Sequence, residues 1–478
     1  MKGRRFKNFL LITVLMAATG AAMAYSSNKT NYFFQKRLNV SPQYQTIKNG
    51  IVSVSGHLVQ DKVLQGSGGT LGLNLTLQAE ETAASNSGEP RNVDLVIVLD
   101  RSGSMKGRKI DDARQAVLKL LSSLGAKDRF ALVTYSDGVQ IASSLLNVTR
   151  KNQQLMESAL SRVRVGGGTN LGAGLQAGIN LLGSFDRNTN AAKVILISDG
   201  LANKGITDVQ ALSGMAAVAV EKEFAVSTVG VGDEFNEYLM TAIADQGTGS
   251  YYYLENPAAF AEVFQKEFHD TRTSIVNNLK IQIPLKDGIS LVDAAGYPIN
   301  HKNGHAFFHP GSLHSGQTRK LYLTLRVPTD SNRNFELKNI KIVYHYNNQI
   351  YETTLEDSFT IACVQDQRKV FSSIDKTSWS EKVINEDFNR LKQEVAADLK
   401  SGKKQDAMQR IKKYHGEQKA VNAVVGSARV ADNLDKDLKE LETYVEDTFQ
   451  GAPQAVRQKQ KSNAKALQYD GYRGRRQQ

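Results

Sequence analysis

The hydrophobic positions of this chain change their period from one region to the next. In residues 51–83 they alternate, as at Leu71, Leu73, Leu75 and Leu77, the pattern of half-buried strands. From 91 to 275, apolar runs at 93–99, 129–135, 193–198, 225–231 and 251–254 are separated by helical patterns. One of these, 110–124, sets Ile110, Ala113, Val117, Leu120 and Leu124 on one face. Strands alternating with helices predict βαβ units and a mostly parallel sheet, an α/β fold. Over 276–363 the period returns to two, at Leu279, Ile281 and Ile283 and again along 320–327. Runs 340–346 and 349–355 meet across Asn347-Asn348, residues that tolerate the positive φ of a type I′ hairpin. This region predicts a β-sandwich that the strands of 51–83 complete, with the α/β domain inserted between its parts. Residues 364–450 then read as a small helical bundle. Its core stripes are Ile384, Phe388, Leu391, Val395 and Leu399, then Val430, Leu434, Leu438, Leu441 and Val445. Gly402, Gly416 and Gly426 are the expected breaks, and the lone Trp379 is expected to pack at the start of the bundle.

Candidate chemistry gathers where the apolar runs end. Asp100, Ser102 and Ser104 follow the first run as three hard oxygen donors at alternate positions, on a turn opened by Gly103. A small hard cation takes such donors, and an ordinary turn uses the same residues. Two later segments bear on the choice: Gly166-Gly167-Gly168-Thr169-Asn170 before a helical stretch, and Asp199-Gly200 after the run 193–198. In residue type, order and strand context the three loops resemble those of the von Willebrand factor type A (VWA) domain, over residues 93–273. The resemblance implies a Rossmann-like fold, a mostly parallel sheet flanked by helices. It also implies a metal-ion-dependent adhesion site made by Asp100, Ser102, Ser104, Thr169 and Asp199.

In that family the site holds a divalent cation, usually Mg2+ and sometimes Mn2+ or Ca2+, with some ligands acting through water. One coordination position stays open to an Asp or Glu of a protein partner. Few carboxylates and several neutral hydroxyls leave a dication attractive to such a group, and Arg101, Lys106 and Arg108 add positive potential around it. The order of regions resembles bacterial VWA proteins of the calcium-activated chloride channel homologue type, although no segment here could form a pore. The glycine run lacks the Gly-Lys-Ser/Thr ending of a phosphate-binding loop. A metal-dependent hydrolase would need a base and usually a second metal or a His-Glu-x-x-His motif, none of which is found, so the chain is read as a binding protein and not an enzyme. The alternative reading is an envelope assembly protein that binds through its helical bundle, with the VWA domain as scaffold.

Composition refines this picture. At 478 residues the chain has room for about three domains. Residues 1–24 join a basic start (Lys2, Arg4, Arg5, Lys7) to an apolar run and a closing Ala22-Met23-Ala24, the pattern of a secretory signal peptide. Cleavage there predicts an exported protein, periplasmic or extracellular, and an uncleaved N-terminal anchor is the alternative. Residues 25–50 read as a linker. Cys363 is the only cysteine, so no intrachain disulfide can form, and a buried free thiol is expected. His301, His305, His309 and His314 lack the companion ligands and spacing of a zinc site and read as incidental to a hairpin. Of the net charge of +12, four positive charges sit in the signal sequence; residues 457–476 hold seven Lys or Arg against Asp470 alone. The tail 451–478 is therefore expected to be disordered, with a possible contact to an anionic envelope surface. Nucleic acid is not an expected partner of an exported chain, and no transmembrane span is expected in the mature protein.

Overall fold

The structure, a computed structural model, describes residues 46–81, 91–185, 190–347, 349–355 and 358–476. The expected signal peptide and most of the expected linker lie outside these residues.

Val93–Asp100 is buried at every position, as a strand covered on both faces must be. It lies inside a six-stranded sheet ordered Thr248–Leu254, Ala225–Val231, Ala191–Ser198, Val93–Asp100, Arg129–Tyr135, Val139–Asn147. Every neighbouring pair is parallel except the last. Successive side chains of the central strand point to opposite faces. Leu95, Ile97 and Leu99 pack with helices Arg108–Ser123, Arg150–Ser161 and Phe260–Thr273. Val96 and Val98 pack with Leu171–Gly183, Val209–Glu221 and Glu237–Gln246. The edge strand Val139–Asn147 was not expected. It is largely exposed, so burial imposes no alternation on its sequence. Later strands fall on both sides of Val93–Asp100, and an open α/β sheet binds ligands beyond the carboxyl ends of its strands at such a reversal.

The alternating regions build a second core. Thr70–Ala79 pairs with Thr318–Arg326, setting Leu71, Leu73 and Leu75 opposite Leu325, Leu323 and Leu321. A facing sheet runs His305–His314, Ser274–Pro284, Ile340–Tyr346, Gln349–Leu355, and the inner faces of the two sheets share one apolar cluster. The chain leaves this sandwich after Ala79 and re-enters at Ser274, with the α/β domain between. Asn347 has φ +49°, the left-handed conformation a tight hairpin asks of it. Cys363 is a free, fully buried thiol in the strand Phe359–Val364.

The described part of the expected linker is not all linker. Thr46–Asn49 is a strand, antiparallel to Val52–Leu58 across a turn in which Gly50 takes φ +62°. The polar composition of this segment hid a strand at the margin of a sheet.

Trp379, Phe388, Leu391, Val395, Leu399, Ile411, Val430 and Val445 form the core of the C-terminal helices, joined by Val59 of the sandwich. Gly402 and Gly426, both at φ +69°, follow helix ends, whereas Gly416 lies inside Lys404–Val425. Among the described residues no helix is long and apolar enough to cross a membrane.

The expectation of a disordered tail is overturned. Pro453–Arg476 is a helix of 24 residues that buries Ala464, Leu467 and Tyr472. Tyr469 and Tyr472 meet Tyr251 edge-on, with ring centroids 5.6 and 5.5 Å away. Five of its seven cations pair within the molecule, Lys459 with Asp447, Lys461 with Glu234, Lys465 with Glu237, Arg475 with Asp293 and Glu386, and Arg476 with Asp245, while Arg457 and Arg473 are exposed. Those acids come from the α/β domain, the sandwich and the bundle. A basic composition showed the charges but not the partners, which lie between Glu234 and Asp447.

Candidate metal centre

Asp100 is the last residue of the central strand and is fully buried. Its Oδ1 accepts the backbone N–H of Ser102 at 2.7 Å and its Oδ2 accepts the hydroxyl of Ser198 at 2.8 Å. This Asx-type turn bends the chain so that Ser102 Oγ stands 3.0 Å from Ser104 Oγ. Ser104 then donates to Asp199 Oδ1 at 2.7 Å. Asp199 follows the strand Ala191–Ser198, the parallel neighbour of Val93–Asp100, so adjacent strand ends carry the two carboxylates.

The glycine-rich loop supplies Thr169. Its backbone N–H donates to Asn203 Oδ1 at 2.9 Å, while its carbonyl accepts from the N–H groups of Asn203 and Lys204. A Cβ on Gly200 would lie 3.3 Å from Ser104 Oγ and 3.4 Å from Thr169 Oγ1, so both hydroxyls face the same bare stretch of backbone. Gly167 adopts φ +82°, and a Cβ there would collide with the carboxylate of Asp137. Asp137 Oδ1 accepts the N–H of Gly168 at 3.0 Å, and Gly103 donates to the carbonyl of Gly167 at 3.1 Å. The glycines thus let a carboxylate and a neighbouring loop approach the backbone closely, a purpose unrelated to phosphate.

All five residues expected from the sequence stand around one point at the carboxyl ends of the strands. Asp100, Ser102, Thr169 and Asp199 are buried, and Ser104 is exposed at the mouth. Burial raises the Asp100 carboxyl above its ordinary value; the hydrogen bonds from Ser102 and Ser198 oppose this, and nearby Asp199 adds to it. The same burial, with Asp100 alongside, pushes the Tyr135 phenol well above 10, so it stays a donor, to Ile197 O at 2.9 Å. Two carboxylates packed with three hydroxyls bring negative charge and lone pairs together in a largely buried site. That donor set, all oxygen, fits a hard divalent cation. Leu201, two residues after Asp199, and Lys106 and Arg108, which follow Ser104 in the chain, are exposed.

Sequence reasoning missed four residues here: Ser198, Asn203, Asp137 and Lys109, whose ammonium lies 2.5 Å from Asp199 Oδ2. Asp137 carried a usable signal, since it lies two residues past the strand Arg129–Tyr135, at the binding end of the sheet.

The family model of the von Willebrand factor type A domain matches residues 94–266. The uncharacterized protein YfbK of Escherichia coli K12 is 31% identical over 212 residues, which cover 43% of this chain and 34% of that protein. Inter-alpha-trypsin inhibitor heavy chain 4 of Mus musculus is 23% identical over 352 residues, 68% of this chain and 36% of that one. The chain therefore spans about a third of the length of these curated relatives. A von Willebrand factor type A protein from Catenulispora acidiphila superposes with a TM-score of 0.60 at 15% identity, over 87% of this chain and 94% of that one, a likeness of fold. The α/β region is a VWA domain, and it is accompanied by further β-sheets and C-terminal helices.

Proposed function

We propose that the VWA domain of this chain is an exported, metal-dependent protein-binding module. In this reading Asp100, Ser102, Ser104, Thr169 and Asp199 hold a divalent cation, Mg2+ first and Mn2+ or Ca2+ as alternatives, directly or through water. VWA domains are metal-dependent protein-interaction modules, which is the ground on which the finer reading stands. The observation that carries it is the unbroken run of oxygens from Ser102 through Ser104 to Asp199, drawn from two loops and closed over by a third. When bound, the cation supplies a Lewis-acidic position for an acidic side chain of a partner. Ser104 is exposed at the mouth, and exposed Leu201, which follows Gly200, and basic Lys106 and Arg108, which follow Ser104 in the chain, are available to that contact. The groups facing the site are hydroxyls, carboxylates, Asn203 and lysines, and the hydroxyls and carboxylates are the hard oxygen donors a divalent cation takes.

The test is capture from an envelope extract with the full chain in Mg2+, in EDTA, and as Asp100→Ala. Partners retained only by the wild-type chain in Mg2+ support the reading. Equal capture in all three overturns it and directs attention to the helical bundle. Export is tested by fractionation and N-terminal sequencing, with a mature protein starting at Tyr25 as the expected result.

A further inference from the structure

Among the described residues, Lys109 is the cation that touches the candidate ligands. It lies in the first turn of Arg108–Ser123, its Nζ donates to Asp199 Oδ2 at 2.5 Å, and the carbonyl of Ser104 lies 3.5 Å away. Asp199 is fully buried and Lys109 is 28% exposed, so the contact is only partly screened by water. The stem of Lys109 runs beside Gly232, where a Cβ would sit 3.5 Å from Cε. That residue opens the loop after strand Ala225–Val231.

The two oxygens of Asp199 thus have separate tasks. Oδ1 belongs to the hydroxyl run through Ser104, and Oδ2 is committed to Lys109. Commitment fixes the carboxylate's rotation, which decides what Oδ1 can reach. It also changes the charge of the site. Asp100 and Asp199 alone would neutralise a dication, whereas with Lys109 beside them an excess of positive charge remains for an outside carboxylate.

We propose that Lys109 is a positioning residue that sets the charge of the metal centre: it weakens the hold on the cation and strengthens the cation's attraction for a partner's carboxylate. This rests on the metal-binding reading above. An ammonium within a few ångströms of a partly buried dication repels it, so Lys109→Met is expected to bind the ion roughly tenfold more tightly. Lys109→Arg, which keeps the charge and can reach the same oxygen, is expected to stay within about twofold of wild type.

The experiment is Mn2+ titration of the full chain, with free ion followed by electron paramagnetic resonance, for wild type, Lys109→Met, Lys109→Arg and Asp100→Ala. Acetate is then titrated against the loaded proteins, with water-proton relaxation reporting its access to the ion. Tighter Mn2+ with weaker acetate in Lys109→Met, and near wild-type behaviour in Lys109→Arg, support the proposal. Unchanged or weaker Mn2+ binding in Lys109→Met, or an Arg variant that behaves like Met, overturns it while leaving the metal site standing. Wild-type protein that binds Mn2+ no better than Asp100→Ala overturns both readings.

Discussion

Lys465 Nζ lies 2.6 Å from Glu237 Oε2, with 6% and 10% of the two side chains exposed. The pair joins the last helix of the chain to the first turn of Glu237–Gln246 in the VWA domain, 228 positions earlier. The ammonium also donates to Phe235 O at 2.7 Å and stands 4.1 Å above the Phe235 ring. Burial would raise the Glu237 carboxyl, but Lys400 and Lys465 outweigh it and hold the group below its ordinary value. Burial lowers Lys465, with Glu237 opposing.

Lys465→Met should cost about 1–3 kcal/mol in urea unfolding, because a buried carboxylate loses a donor and keeps Lys400 and its own backbone N–H. Glu237→Gln in the same background should recover part of that loss. Since the folded value of Glu237 is depressed, its contribution is present above the ordinary Glu value of about 4.3 and fades as pH falls through the folded value. Identical acid profiles for wild type and Glu237→Gln would count against the assignment.

Arg475 and Arg473 make a matched pair for testing the tail. Arg475 donates to both oxygens of Asp293 and to Glu386, whose side chain is fully buried, while Arg473 is exposed. Arg475→Ala is expected to destabilise by about 3–5 kcal/mol through the stranded carboxylates, and Arg473→Ala by under about 0.5 kcal/mol. Equal thermal shifts for the two variants would return the tail to the status of a solvated extension.

His309 predicts a pH dependence that has nothing to do with metal. It sits in the strand His305–His314, edge-on to Phe307; burial, reinforced by Lys280, lowers its pKa to about 4. A histidine held neutral in the fold binds its proton in the unfolded chain first, so its share of stability is present above about pH 6.5 and is lost toward pH 4. Between pH 7 and 5 this amounts to about 2 kcal/mol. Denaturant melts of His309→Gln should show a pH loss smaller by that amount, with His314, which burial also lowers to about 4, and His57, which burial lowers as well, contributing to what remains.

Gly167→Ala tests the glycine-rich loop. The new methyl meets Asp137, and the residue must also hold φ +82°, a conformation that costs an L side chain about 1–2 kcal/mol. Mn2+ affinity should fall as Thr169 shifts, with global melting reduced by no more than that strain. Undiminished affinity would mean that the loop tolerates displacement and that Thr169 is dispensable.

Much of this could be read in the sequence where burial is two-sided. The strand Val93–Asp100 and the face Ile110, Val117, Leu120 announce themselves because packing on both sides leaves one pattern standing. The five candidate ligands were legible because each sits at a strand end or helix start that the pattern already located. The misses share a different physics. Val139–Asn147 is exposed, Thr46–Asn49 is polar, and Pro453–Arg476 is held by ion pairs whose partners lie far away in the chain. Lys109 escaped because a lysine one turn into a helix looks like any solvated charge until its reach is known.

The insertion of the VWA domain into the sandwich has a consequence for how the chain is made. Thr70–Ala79 is synthesised early, yet its neighbour Thr318–Arg326 is translated some 250 residues later. Meanwhile the whole of Val93–Thr273 becomes available and can close on its own two cores. The apolar strand bearing Leu71, Leu73, Leu75 and Leu77 can pair at once with Val52–Leu58 along one edge, but its other edge must wait for its partner. The turn carrying Arg475 and Arg476 is translated some 150 residues after Thr318–Arg326, so its ties between the three parts of the molecule form later still. Chains arrested before residue 318 should expose that early strand to a protease while their VWA domain already resists it.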